Sequence, residues 1–164
     1  MARSKIKHFK GFSIVDGDIR VTLNMNRFER QFQRAQYQLD GAVMNSMVPF
    51  MPMMTGSFIN ATRAASAAVQ GSGEVYAAYG PQGRFLYEGK TMVDEKTGSA
   101  WARRGAKKVL VSEFGGKTNA KPNLTYTKQA HPKAQSHWFD AAKKADGKKW
   151  IRDVKKTAGG GQRG

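Results

Sequence analysis

The chain has 164 residues, no Cys, three His, and 28 Lys+Arg against 12 Asp+Glu, for a net charge of +16. That length suits one domain, able to bury about 70% of its unfolded surface without a staple, and the absence of Cys excludes a disulfide framework, a Cys-based zinc site and a thiol nucleophile. The 40% hydrophobic content excludes disorder throughout, and the charge points to an acidic partner: nucleic acid, a phosphate-rich surface or an acidic protein.

The first expected element is a hairpin. Phe12, Ile14 and Val15 precede Asp16-Gly17-Asp18, after which Ile19, Val21 and Leu23 alternate with Arg20 and Thr22; alternation around a Gly-containing turn is the hairpin pattern. A long helix near 26–48 follows, N-capped by Asn24 or Asn26. Phe28, Phe32, Ala35, Leu39, Ala42 and Val43 draw one apolar stripe along it, with Arg27, Arg30, Gln31, Arg34 and Gln38 on the other side. Pro49 should end it. The segment Pro52-Met53-Met54-Thr55-Gly56-Ser57-Phe58 is a turn. Gly56 is expected at a backbone position that a Cβ would strain.

Residues 58–79, Ala-, Ser- and Thr-rich, are read as an antiparallel pair around Gly71-Ser72-Gly73, with Tyr76 in the return strand and Tyr79 near its end, both candidate interface residues. Gly80-Pro81-Gln82-Gly83 is another turn. Residues 88–130 are Gly- and Lys-rich, with short β-like runs near 107–112 and 123–127. Such a length is expected to form an extended hairpin or a functional loop. Near 137–154 a short helix is expected, broken or capped near Asp146-Gly147, with Trp138, Ala141, Ala142 and Ala145 on one face and Trp150 and Val154 beyond. Residues 157–164 read as a disordered Gly-rich tail. The fold class is thus α+β: one long helix packed on a mostly antiparallel sheet, with a long loop or extended hairpin and a short C-terminal helix, in a single domain over 1–156.

Chemistry is sparse. His8, His131 and His137 lack metal-ligand spacing, carboxylates are few and scattered, and Gly71-Ser72-Gly73 lacks the strand–Gly–helix context of a phosphate loop. No catalytic, cofactor or metal residues are assigned, and no enzyme activity is expected. The most apolar stretch, 42–54, is interrupted by Asn45, Ser46, Pro49 and Pro52, so no membrane span is expected, and neither is a targeting segment. Met44, Met47, Met51, Met53 and Met54 cluster at the end of the long helix and in the proline turn. Methionine fills irregular cores and also adapts to partner surfaces, so both readings stand. The same holds for His137, Trp138, Phe139 and Trp150: they either pin the last helix to the core or anchor a neighbouring subunit.

The charge is uneven. Residues 1–95 carry 11 basic and 8 acidic residues, and residues 96–164 carry 17 and 4. Arg103, Arg104, Lys107, Lys108, Lys117 and Lys121 are the candidate polyanion contacts, in a region that otherwise reads as a solvated Lys-rich surface.

The order of a helix, then Pro52-x-x-Thr55-Gly56-x-Phe58, then a β pair and a Tyr-rich strand resembles the minor capsid and tail-completion proteins of long-tailed bacteriophages. Leu124-Thr125-Tyr126-Thr127, His131-Pro132-Lys133-Ala134 and His137-Trp138-Phe139-Asp140-Ala141-Ala142-Lys143 resemble the C-terminal block of that group. The likeness covers roughly 26–150; the strong positive charge and the Lys-rich 96–121 segment lie outside it. It implies a structural virion protein made in the host bacterial cytoplasm. Such a protein sits in the neck between head and tail, as a ring of six copies, or twelve on the portal side. Implied partners are a portal-side adaptor or head-closure protein, a tail terminator or tail-tube protein, and genomic DNA in the channel. The alternative from charge alone is a basic nucleic-acid-binding protein.

Overall fold

The structure is a computed structural model that describes residues 12–16, 19–23, 25–101 and 103–159. It is a mixed helix-and-sheet chain. In order it contains β1 (Phe12–Asp16), β2 (Ile19–Leu23), α1 (Asn26–Met47), a 3-10 turn at Val48–Phe50, α2 (Ser57–Ala68), α3 (Gly83–Glu88), β3 (Met92–Asp94), β4 (Lys108–Leu110), a second 3-10 turn at Val111–Glu113, and α4 (Trp138–Ala158). β1 pairs antiparallel with β2, Ile14 facing Val21 and Asp16 facing Ile19. β3 pairs antiparallel with β4, Met92 facing Leu110. Each ladder has two strands, so among the described residues the outer edges carry no further strand.

The contacts group the chain into two compact units. The first comprises the described residues of Met1–Ser46, Arg63–Tyr76 and Ala142–Gly164. Its buried apolar side chains are Ala35, Met44, Ala142 and Trp150. The Trp150 indole N–H donates to Ser46 Oγ (3.1 Å), and the Thr157 hydroxyl donates to Gln38 Oε1 (2.6 Å). The unit also buries a carboxylate. Asp40 Oδ2 accepts from the amides of Gly71 (2.7 Å) and Gly73 (3.2 Å), and its Oδ1 accepts from Gln36 Nε2 (2.7 Å). Gly71 and Gly73 take φ of +90° and +80°, and their two amides meet one Asp40 oxygen while the Ser72 N–H between them donates to Val69 O (3.0 Å).

The second unit comprises Met47–Thr62 and Ala77–Ala141. Met47, Met51, Ile59, Val93, Ala134 and Trp138 are its buried apolar residues, joined by Thr62 and Asp94.

The hairpin and α1 lie where the sequence pattern puts them, although Gly17, Asp18 and Asn24 fall outside the described residues. Glu29 N–H donates to Met25 C=O (2.9 Å), so Met25, not Asn26, closes the first turn of α1. The stripe is approximate: Phe28 is exposed, while Asp40, Met44 and Met47 are buried.

Four expectations need correction. Residues 58–68 are not a strand but belong to helix α2. Five alanines supply high helix propensity there, and the buried positions Ile59, Thr62 and Ser66 follow helical spacing. Tyr76 is not in a strand; its N–H donates to Ser66 Oγ (3.1 Å), holding an irregular segment on the helix. The run 123–127 forms only a single bridge, Asn123 to Lys90. Finally, α4 is neither short nor broken at Gly147. It runs 21 residues to Ala158, so 157 and 158 are helical, and 160–164 lie outside the described residues.

Candidate assembly surface

The two sequence blocks that carry the phage resemblance meet in the second unit. Pro49 stops α1 and sends the chain through an extended Met51, where two main-chain carbonyls turn toward the later block. His131 Nδ1 lies 2.8 Å from Met51 O, and Gln135 N–H donates to Phe50 O (3.0 Å). Gly56 sits at φ +78°, the left-handed region that favours glycine. Its carbonyl accepts from Asn60 N–H (2.9 Å) and opens α2. Thr55 Oγ1 and Ser57 Oγ share a hydrogen bond of 2.9 Å beside it. Phe58, at the start of α2, meets the Trp138 ring edge-on at 5.9 Å between centroids. Pro52 and Met53 are half-buried, Met51 is fully buried, and Met54 is 89% exposed.

Trp138 is the centre of this node. It is fully buried, its indole N–H donates to Ala77 O (2.7 Å), and Tyr87 approaches edge-on at 4.9 Å. His137 takes φ +49°, donates its N–H to Tyr87 O (2.9 Å), and accepts from Ala141 N–H (3.3 Å) at the start of α4. Its imidazole packs on Tyr87 at 5.1 Å and lies 3.6 Å from Glu88 Oε2. Burial, followed by Asp140 and Glu88, pushes the Tyr87 phenol up. Phe139 is half-buried, and Trp150 lies inside the first unit. The candidate interface residues therefore separate: Met51, Trp138 and Trp150 fill interiors, while Met54 and Tyr79 face outward.

The basic segment is organised by one buried acid. Asp94 Oδ1 accepts from the amides of Lys96 (2.8 Å) and Thr97 (3.1 Å) and from Arg103 Nη2 (3.4 Å), while its Oδ2 accepts from Arg103 Nε (3.3 Å). The Lys96 amide, then the Arg103 guanidinium, hold the Asp94 carboxyl well below the usual carboxylate range. Arg103 is thus tied to Asp94. Lys108 Nζ donates to Ala100 O (3.4 Å). Arg104, Lys107, Lys117 and Lys121 are exposed and have no ion-pair partner among the described residues.

No family model, curated protein or solved structure matches the chain.

The sequence reading missed Trp101, which is 89% exposed inside the basic segment. A lone Trp flanked by Ser99-Ala100 and Arg103-Arg104, in a stretch without periodicity, was the available signal. It also missed a cleft of about 320 Å³ in the first unit, lined by Arg30, Gln33, Arg34, Tyr37 and Gly71. Among the described residues, no group of three or more His, Cys, Asp or Glu is placed to hold a metal ion, and no helix is long and apolar enough to cross a membrane.

Proposed function

We propose that this chain is a structural subunit of a tailed-phage neck, forming a closed ring that joins the DNA-filled head to the tail. One observation carries the reading. The Pro52–Phe58 turn and the His131–Phe139 block, far apart in sequence and both taken from the resemblance, meet through the Phe58–Trp138 pair, and just ahead of the turn Phe50 O accepts from Gln135 N–H while Met51 O lies 2.8 Å from His131 Nδ1. That contact supports reading the turn and the aromatic block as parts of one pattern.

The surfaces fit a protein completed by its neighbours. Two-stranded ladders are marginal alone and leave edges to be paired. Ile19 and Val21 on β2, Met54 and Trp101 stand exposed, and aromatic side chains dominate interface hot spots. In the ring, the long helix backs a mostly antiparallel sheet whose edges are closed by adjacent copies, and 88–130 serves as the extended loop or hairpin that reaches a partner. Six copies match docking on a tail tube or tail terminator; twelve match a portal-side adaptor or head-closure protein. The role is structural and the location is the virion.

Solution mass tests this. The protein alone, at +16, repels its copies and should run as a monomer or weak associate. With the neighbouring tail-tube or portal-side protein it should form a closed ring. A stable monomer that ignores both partners would count against the proposal.

A further inference from the structure

Helix α4 carries a charged face that the sequence reading did not single out. Over its last four turns, Lys144, Lys148, Lys149, Arg152, Lys155 and Lys156 fall within about 140° of the helix circumference at 100° per residue. All six are exposed. Between 142 and 158, Ala145 is the only other residue in that arc; Asp146 and Asp153 lie outside it. Among the described residues the five lysines have no ion-pair partner, and Arg152 has only its sequence neighbour Asp153, at 3.6 Å. The opposite side of the helix is occupied, with Trp150 buried and Val154 half-buried.

We propose that this face binds the phosphate backbone of double-stranded nucleic acid without regard to sequence. Like charges four apart destabilise a helix, and Lys144/Lys148, Lys148/Arg152 and Arg152/Lys156 are three such pairs. A dense polyanion relieves that repulsion. Along the row 144, 148, 152 the cations advance about 6 Å per step, and a duplex offers one charge per about 1.7 Å of its axis, so each can meet a phosphate. Five of the six are lysines, compact charges that lack the bidentate fork used to read bases. The arc holds no aromatic ring, so there is no platform for stacking unpaired bases, which selects duplex over single strand. Trp150 and Val154 are already packed, which leaves Ile151 as a single exposed apolar side chain at the edge of the arc, too little to enter a bilayer. The surface is distinct from the 103–121 cations and does not rest on the neck reading.

The test is anisotropy of a labelled mixed-sequence duplex with the full chain, from 50 to 200 mM salt. One variant carries Lys148→Gln, Arg152→Gln and Lys155→Gln. A charge-matched control carries Arg20→Gln, Arg84→Gln and Lys128→Gln, three exposed cations outside both α4 and the 103–121 set. Far-UV circular dichroism checks that both are folded. Each lost phosphate contact lowers the salt slope by about 0.9. The α4 variant should therefore lose about 2–3 units of slope and bind at least about tenfold more weakly at 100 mM salt. The control should change by less than about threefold. Equal weakening in both variants would reduce the effect to net charge and overturn the assignment. So would failure to bind duplex at 50 mM salt, tighter binding of a single strand, or equal competition by polyglutamate, which would point to an acidic protein.

Discussion

Replacing Trp138 with Ala removes the centre of the second unit. The indole is fully buried, meets Tyr87 and Phe58 edge-on, and donates to Ala77 O at 2.7 Å. Truncating a buried Trp costs about 3–5 kcal/mol, through lost transfer energy and the cavity left behind. The stranded Ala77 carbonyl places the value at the upper end. Against a typical stability of about 5–15 kcal/mol, that is a third or more. Trp138→Phe keeps a ring for both edge contacts and loses the indole N–H and some volume, so about 1–2 kcal/mol is expected. Urea unfolding followed by far-UV circular dichroism reads both variants without relying on tryptophan fluorescence. A Trp138→Ala variant within about 1 kcal/mol of the parent would show that this node does not hold the unit together. If that variant unfolded normally yet failed to form rings, Trp138 would instead be an assembly contact.

Gly56→Val should destabilise by about 1–3 kcal/mol. Space is available, with the nearest atom to a new Cβ being Met53 Cε at 3.5 Å, so the cost comes from φ +78°; an unchanged melting temperature would refute it. Gly147→Ala should stabilise α4 by about 0.5–1 kcal/mol, since the new Cβ meets only Lys143 Cγ at 3.6 Å; a lowered melting temperature would contradict this. Asp94→Asn should lower stability near neutral pH. The folded carboxyl titrates below its unfolded value, so its contribution is present above about pH 4 and fades as pH falls further. The melting-temperature gap between parent and variant should therefore narrow in acid, and a gap constant down to pH 2 would exclude the Asp94 assignment.

Legibility in the sequence followed the strength of the apolar period. The β1–β2 alternation and the α1 stripe announce themselves because apolar side chains mark every turn or every second residue. Helix α2 does not, because two of its buried positions, Thr62 and Ser66, are hydroxyl residues facing main-chain groups. Thr62 Oγ1 donates to Phe58 O (2.9 Å) and accepts from Tyr79 N–H (3.2 Å). An Ala-, Ser- and Thr-rich run hides that face from any hydropathy pattern. Asp40 and Asp94 were invisible for a related reason: a carboxylate reads as surface until the amides that surround it are known. Gly147 looked like a break because glycine costs about 1 kcal/mol in a helix, which 21 residues of α4 absorb. At the candidate surface, the pairing of the Pro52–Phe58 and His131–Phe139 blocks was legible only as an ordered pattern. The split between buried Met51 and exposed Met54 was not, since both lie in one Met-rich turn. The cationic arc of α4 needed the unbroken helix, because a break at Gly147 separates Lys144 from Lys148.

The neck proposal is tested most directly by electron microscopy of particles made without this protein. The account predicts filled heads and finished tails that accumulate unjoined, with joining restored by supplying the chain in trans. Infectious particles of normal form from the same deletion would contradict it.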